Sequence, residues 1–266
     1  MQTKLMAIIN LTPDSFSDGG AISDVASAIE AARLFISQGA DVIDIGAEST
    51  RPGATPLDAM QEWERLSPVL SGVMSLAHES RIDVSVDTRH WQTAKKALLL
   101  GADWINDVSG LADTSMREVL RDHPCRIVLM HQLGIPADPE LVLDCAADEV
   151  VDYLLTQARI SMEFCEAEGL SRERLIYDPG IGFGKNLRQN LAILSSASSF
   201  KELSIPLLFG YSRKRFMQCI TDQPAPQRDD VTAAYSSLLM MQGIDYLRVH
   251  ALGKHATLRR ALSGKL

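Results

Sequence analysis

Eight short apolar runs in this sequence each end in side chains able to do chemistry. Asn10 follows the first and Glu48-Ser49-Thr50-Arg51 the second; Asp87, Asn106-Asp107, Met130-His131, Asp178, Ser212-Arg213-Lys214, and Arg248 with His250 follow the rest. Singly, an Asp or Asn in such a place is most often a helix cap or a turn former. Together they gather amides, carboxylates and several cations. Asp and Asn are short donors and acceptors that match the amide and amino edge of a flat heterocycle, whereas Arg, Lys and His match an anion beside it. The collection suits a polar heterocycle carrying a phosphate. Arg248 and His250 alternate along one strand and so share a face, and with the amino end of the next helix they form an anion site.

These residues converge only if the elements bring them to one place. The apolar runs span 4–10, 41–47, 83–88, 104–109, 126–131, 175–180, 206–212 and 246–251, several of them apolar at consecutive positions as in parallel strands covered on both faces. Between them lie helical patterns, among them 22–38, 57–79, 91–100 and a long one from about 140 to 168. Glycines in SQGADV, LLGADW, EGLSRE and QGIDY mark helix ends where a left-handed residue precedes the next strand. Strand and helix alternate eight times and no early turn carries G-x-G-x-x-G, so the expected fold is α/β, a (β/α)₈ TIM barrel with its site at the carboxyl ends of the strands. No linker divides the chain, and residues 1–266 are read as one domain.

Composition narrows the function. The 266 residues are 46 % hydrophobic and 23 % charged, ordinary globular usage. A net charge of -8 argues against nucleic acid as a partner, while leaving room for one local basic pocket. The absence of a secretory leader or an eighteen-residue apolar run predicts no membrane partner and a cytoplasmic location. Cys125, Cys145, Cys165 and Cys219 form no C-x-x-C pair and receive no chemistry.

Several segments carry a resemblance. NLTPDSFSDGG (10–20), ESTRPGA (48–54), SVDT (85–88), INDVSG (105–110), VLMH (128–131), DPGIGFGK (178–185), SRK (212–214) and RVH (248–250) resemble, in order and spacing, the dihydropteroate synthases, which are pterin-binding TIM-barrel enzymes. The first, second and sixth are long and specific, and coverage is essentially the whole chain. The resemblance implies condensation of 6-hydroxymethyl-7,8-dihydropterin diphosphate with p-aminobenzoate, an Mg²⁺ cofactor, a folate-pathway role, sensitivity to sulfonamide-like amines as a class, and a homodimer formed through late helices.

Residue by residue, the resemblance gives Asn10 the Mg²⁺ contact and a place beside the diphosphate with Arg248 and His250. Asp87, Asn106, Met130, Asp178 and Lys214 become the pterin set. Phe16, Thr50, Pro52, Phe183 and Ser212 border p-aminobenzoate, and Asp14, Arg51, Asp178 and Lys214 act in catalysis. Asp14 and Phe16 lie on a first loop hinged at Gly19 and Gly20 that reaches the reacting centre when closed. Two departures stand out: Gly46-Ala47 where the family has Gly-Gly, and Ala251 where it has Asp after Arg-Val-His. The second removes a support for His250. Two rivals stay open, a methyltetrahydrofolate-dependent methyltransferase on the same barrel and a catalytically silent paralogue that binds a pterin or a partner.

Overall fold

The computed structural model describes residues 2–11 and 25–264. Strands β1 (Lys4–Asn10), β2 (Val42–Gly46), β3 (Asp83–Asp87), β4 (Trp104–Asp107), β5 (Arg126–Met130), β6 (Leu175–Asp178), β7 (Leu208–Phe209) and β8 (Tyr246–Val249) alternate with eight helices. These are α1 (Val25–Gln38), α2 (Ala59–Glu79), α3 (Trp91–Leu100), α4 (Thr114–Arg121), α5 (Val150–Ala167), α6 (Leu187–Ser195), α7 (Asp229–Met241) and α8 (Leu252–Leu262). All strand pairs are parallel, in the order β6-β5-β4-β3-β2-β1-β8-β7. A single bridge, Tyr177 to Leu207, joins the two ends and closes the (β/α)₈ barrel.

The near-continuous apolar strands make sense once both faces are seen. Odd-numbered residues of β1, such as Leu5, Ala7 and Ile9, face the helices with Ile43, Ile45, Val84, Val86 and Leu129 in the main core. Met6, Val42, Trp104, Val128, Ile176, Leu208 and Tyr246 form a separate apolar cluster that fills the barrel interior. The glycine signals hold: Gly39, Gly101, Gly169 and Gly243 all sit at positive φ, between 70° and 105°. Helix starts are fixed by side chains where the sequence supplies them, as in the capping boxes Asp58 with Gln61 on α2 and Asn186 with Gln189 on α6.

Two elements are shorter than the pattern predicts. Pro206 donates no hydrogen bond and Gly210 has no side chain to pack, so β7 shrinks to two residues within the predicted 206–212. Helix α5 begins at Val150 rather than near 140. Residues 140–149 instead cross the barrel mouth, tied down by Leu143 N–H to the Gly184 carbonyl (2.8 Å). Gln189 Nε2 holds the carbonyls of Leu143 and Cys145, both at 2.9 Å. Tertiary hydrogen bonds take the backbone groups that a helix would have used.

Candidate active site

Above the apolar plug, inward-pointing residues turn polar. Asp44 is fully buried and accepts from Ser85 Oγ (2.6 Å), Asn106 Nδ2 (3.4 Å) and Arg248 Nε (2.5 Å). One layer higher, Arg248 Nη2 donates to Asp87 (2.5 Å). Withdrawing a carboxylate and a guanidinium from water costs several kcal/mol per ion, which their attraction only roughly repays, so this cluster does not exist to stabilise the barrel. Its place at the carboxyl end of the strands is the place for a ligand. Over it opens a cavity of about 750 Å³ lined by Asn10, Glu48, Thr50, Arg51, Pro52, Asp87, Phe183, Ser212, Lys214, Arg248 and His250, among others.

Small residues keep that space open. A Cβ on Gly46 would lie 3.1 Å from the Asp87 Cβ, and one on Gly210 would lie 3.3 Å from Asp178 Oδ2. In the loop after β6, Gly180, Gly182 and Gly184 have φ of 68°, 81° and 70°, a left-handed sequence that L side chains rarely adopt. That path lets Gly180 N–H donate to Asp178 Oδ1 (2.7 Å) and turns Phe183 toward the cavity. Lys214 Nζ sits 4.5 Å over the Phe183 ring and donates to the Ile181 carbonyl.

The charges are tuned by burial. One guanidinium lies between two carboxylates and cannot neutralise both, so burial lifts the Asp87 carboxyl against the pull of Arg248, with Asp44 adding to the rise. Burial likewise lifts Asp178, opposed by Lys214. Lys214 is brought down to about 8 by burial, partly offset by Asp178. His250 is held well below the usual histidine range, first by burial and then by Arg213, Arg248 and Arg51, so its ring is neutral at pH 7.

The structure gathers most of the sequence-predicted residues. Asp87 and Asn106 are register partners, as are Met130 and Asp178. Asn106, Met130 and Asp178 are buried beside the cavity rather than on its lining, and Met130 packs behind Phe183 in a cluster with Val108 and Ala137. Thr50 is tied across the mouth by Ala137 N–H to its carbonyl (3.0 Å). Asp14, Phe16, Gly19 and Gly20 lie outside the described residues. The charge balance differs from the expectation at two positions: Arg248 is already engaged by two carboxylates, and His250 offers a neutral ring instead of a second cation. Ala251 leaves His250 supported after all, because Ser212 Oγ meets its Nδ1 at 2.9 Å and accepts from its backbone N–H at 3.3 Å.

Sequence reasoning passed over Asp44, Lys185 and Asp229, and gave His131 no role. Asp44 sits at an inward position of β2, two residues from Val42 and two from Gly46, and strand parity alone marks it. Lys185 is buried, brought down to about 7 by desolvation, and reaches His131 Nδ1 (2.9 Å) and the Phe183 carbonyl (2.9 Å). His131, held near 3 by burial and by Lys185, thus anchors the glycine-rich loop. Asp229 grips Arg213, itself at φ 61°, through two hydrogen bonds of 2.7 and 2.8 Å. That ion pair fixes the turn between Ser212 and Lys214 and gives Arg213 a structural role.

The geometry meets known proteins at this point. Residues 6–250 match the family model described as pterin binding enzyme. The chain is 34 % identical over 264 residues to the dihydropteroate synthase of Escherichia coli, covering 98 % of this chain and 91 % of that one. The chain belongs to the dihydropteroate synthase family. Among solved structures of that family, the dihydropteroate synthase of Anaplasma phagocytophilum with bound 6-hydroxymethylpterin-monophosphate superposes with a TM-score of 0.91 at 33 % identity, covering 100 % of both chains. The dihydropteroate synthase of Xanthomonas albilineans with 4-aminobenzoic acid gives 0.88 at 32 % identity, covering 99 % of this chain and 93 % of that one. Some dihydropteroate synthase relatives are longer, fused proteins. The chain spans 29 % of the probable bifunctional folylpolyglutamate synthase/dihydropteroate synthase of Haloferax volcanii and 50 % of the mitochondrial folate synthesis bifunctional protein of Pisum sativum.

Proposed function

We propose that this chain is a dihydropteroate synthase of folate biosynthesis. It breaks the C–O bond between the methylene carbon and the diphosphate of 6-hydroxymethyl-7,8-dihydropterin diphosphate. It forms a C–N bond to p-aminobenzoate, and 7,8-dihydropteroate, pyrophosphate and one proton leave. The observation that carries the reading is that Asp87 and Lys214 line one cavity with Asn106 and Asp178 buried directly beside it. Short acceptors with a half-buried lysine opposite them fit the donor-rich edge of a pterin.

In this reading Asp87, Asn106 and Asp178 hold the ring edge, with Met130 backing the pocket through Phe183. Lys214 faces a ring acceptor. Thr50, Pro52, Phe183 and Ser212 border p-aminobenzoate, with Phe16 joining them from the first loop. Asn10 and His250 take the diphosphate, His250 as a neutral hydrogen-bond donor through Nε2. Arg248 holds Asp87 in place and adds positive potential from below. The Asn10 side chain lines the cavity and has no hydrogen bond among the described residues. One amide oxygen with water and phosphate oxygens suits Mg²⁺, which keeps much of its hydration. Mg²⁺ at Asn10 would neutralise negative charge on the leaving diphosphate.

The chemistry is a substitution by ionisation. As the C–O bond lengthens, positive charge on the methylene carbon spreads into the electron-rich dihydropterin, and the carboxylates of Asp178 and Asp14 favour it electrostatically. Arg51 orders the amine, whose nitrogen then attacks and sheds its proton. Incubation with Mg²⁺ and the pterin diphosphate but no amine should release pyrophosphate slowly; strict absence of release would remove the ionisation path. Dihydropteroate formation with and without Mg²⁺ tests the activity itself and separates it from methyl transfer and from silent binding.

The reading includes a cytoplasmic homodimer. Four unpaired cysteines suit a reducing compartment, and among the described residues no helix is long and apolar enough to cross a membrane. Leu238 and Met241 leave apolar surface exposed on α7, which suits pairing through the late helices. Light scattering would report the mass in solution.

A further inference from the structure

Beside the cavity, the loops after β2 and β3 meet the first turn of α2. Glu48 comes from the first loop, His90 from the second and Glu62 from the helix. One ligand atom from each lies within 4.8 Å of the other two, with His90 Nε2 3.8 Å from Glu48 Oε2. Glu62 is fully buried, yet its Oε1 has no hydrogen-bond partner, and neither has the buried Nε2 of His90. Leaving such a group unmet costs about 1–3 kcal/mol. Here an unmet carboxylate oxygen and an unmet ring nitrogen belong to two members of one cluster.

The remaining oxygens of the two carboxylates are fixed. Thr88 Oγ donates to Glu62 Oε2 (2.6 Å) and accepts the His90 backbone N–H (3.1 Å). Glu48 accepts Arg89 Nε (2.8 Å), Arg89 Nη2 (2.9 Å) and the Leu57 N–H (2.9 Å). The carboxylates are therefore aimed by their neighbours, as ligands of a metal are aimed by an outer shell. Arg89 is a single cation serving two carboxylates, and an ion taking Glu48 Oε2 would still leave Oε1 to Arg89 Nη2.

We propose that Glu48, Glu62 and His90 bind a divalent ion of the zinc class, at a site separate from the Mg²⁺ position assigned to Asn10. The imidazole in the set selects zinc or cobalt over magnesium and calcium, which favour oxygen alone. Bonds of about 2.0–2.2 Å require the three atoms to draw together from their present spacing. His90 can move, because its side chain remains 17 % exposed on a loop that precedes α3. Glu48 also lines the cavity, so solvent can supply the remaining ligand. A bound ion would clamp the β2 loop, which carries Thr50 and Arg51, to the β3 loop next to Asp87.

The test uses the full chain stripped with chelator and then held in excess Mg²⁺. Co²⁺ should bind at one equivalent with visible ligand-field absorption, Zn²⁺ should displace it, and Zn²⁺ should raise Tm. His90→Ala should weaken Co²⁺ binding about tenfold or more and abolish the Tm shift, since losing a ligand costs at least as much as losing an outer-shell partner. Glu62→Gln should do the same; should that variant fail to fold, His90→Ala, at a partly exposed position before α3, decides alone. No stoichiometric Co²⁺ binding, or binding unchanged in His90→Ala, would overturn the site and leave a proton or a water between the two groups.

Discussion

The two ends of the barrel interior carry similar residues and are built to opposite purposes. At the amino-terminal end Lys4 (3.5 Å) and Arg126 (3.2 Å) both donate to the Tyr246 hydroxyl, and Trp104 Nε1 donates to Asp83 (2.9 Å). The Trp104 and Tyr246 rings pack edge to face at 5.0 Å, with the two cations lying over them. At the carboxyl-terminal end Asp44, Asp87 and Arg248 lie deeper, with Asp44 fully buried, and Gly46 and Gly210 stand where side chains would have closed the space. Charge inside a barrel is therefore no mark of a site by itself. What marks one is an open cavity over a layer where carboxylates outnumber cations.

The contrast can be broken most severely at Arg248. Arg248→Ala leaves Asp44 and Asp87 without a cation, and stability should fall by about 3–5 kcal/mol. Dihydropteroate formation should fall about a hundredfold or more, read from kcat/KM and from thermal unfolding together. A smaller effect, confined to function, is expected at Gly210. Gly210→Ala crowds Asp178 and should raise KM for the pterin diphosphate about tenfold while Tm stays nearly unchanged, because a displacement of a few tenths of an ångström suffices.

The opposite end should give the opposite signature. Trp104→Phe strands the Asp83 acceptor and should cost about 1–3 kcal/mol in denaturant unfolding, with KM and kcat at wild-type values. A kinetic change there would erase the distinction between the two ends. The mildest effect concerns pH. Lys214 carries its charge below about 8 and loses it above, so kcat/KM for the pterin should decline several-fold on the alkaline side. Lys214→Arg, which keeps its charge, should remove that alkaline limb even if its peak activity is lower.

Much of this was legible from residues alone, for reasons that also explain the gaps. Burial on both faces writes consecutive apolar runs, and seven of the eight strands fall within the segments so marked with little loss. Strand β7 was over-read because Pro206 and Gly210 bound an apolar run of which only the middle pairs. Residues 140–149 were over-read because hydrogen bonds to Gly184 and from Gln189 come from sequence-distant elements. In the site, strand-end position found Asp87, Asn106, Asp178, Lys214 and Arg248, which one layer of the barrel must bring together. It missed Asp44 because that residue lies within an apolar run instead of after it. The suppressed charge of His250 was also out of reach, since it depends on three arginines brought near by the fold.

The single bridge between Tyr177 and Leu207 has a thermodynamic consequence. Asp178 follows one side of that weak seam, and Ser212 and Lys214 follow the other. A pterin gripped from both sides would act as a keystone, lending part of its binding free energy to barrel closure. Slow amide hydrogen exchange gained on ligation should therefore concentrate along β6 and β7, far more than at the well-paired β1 and β2.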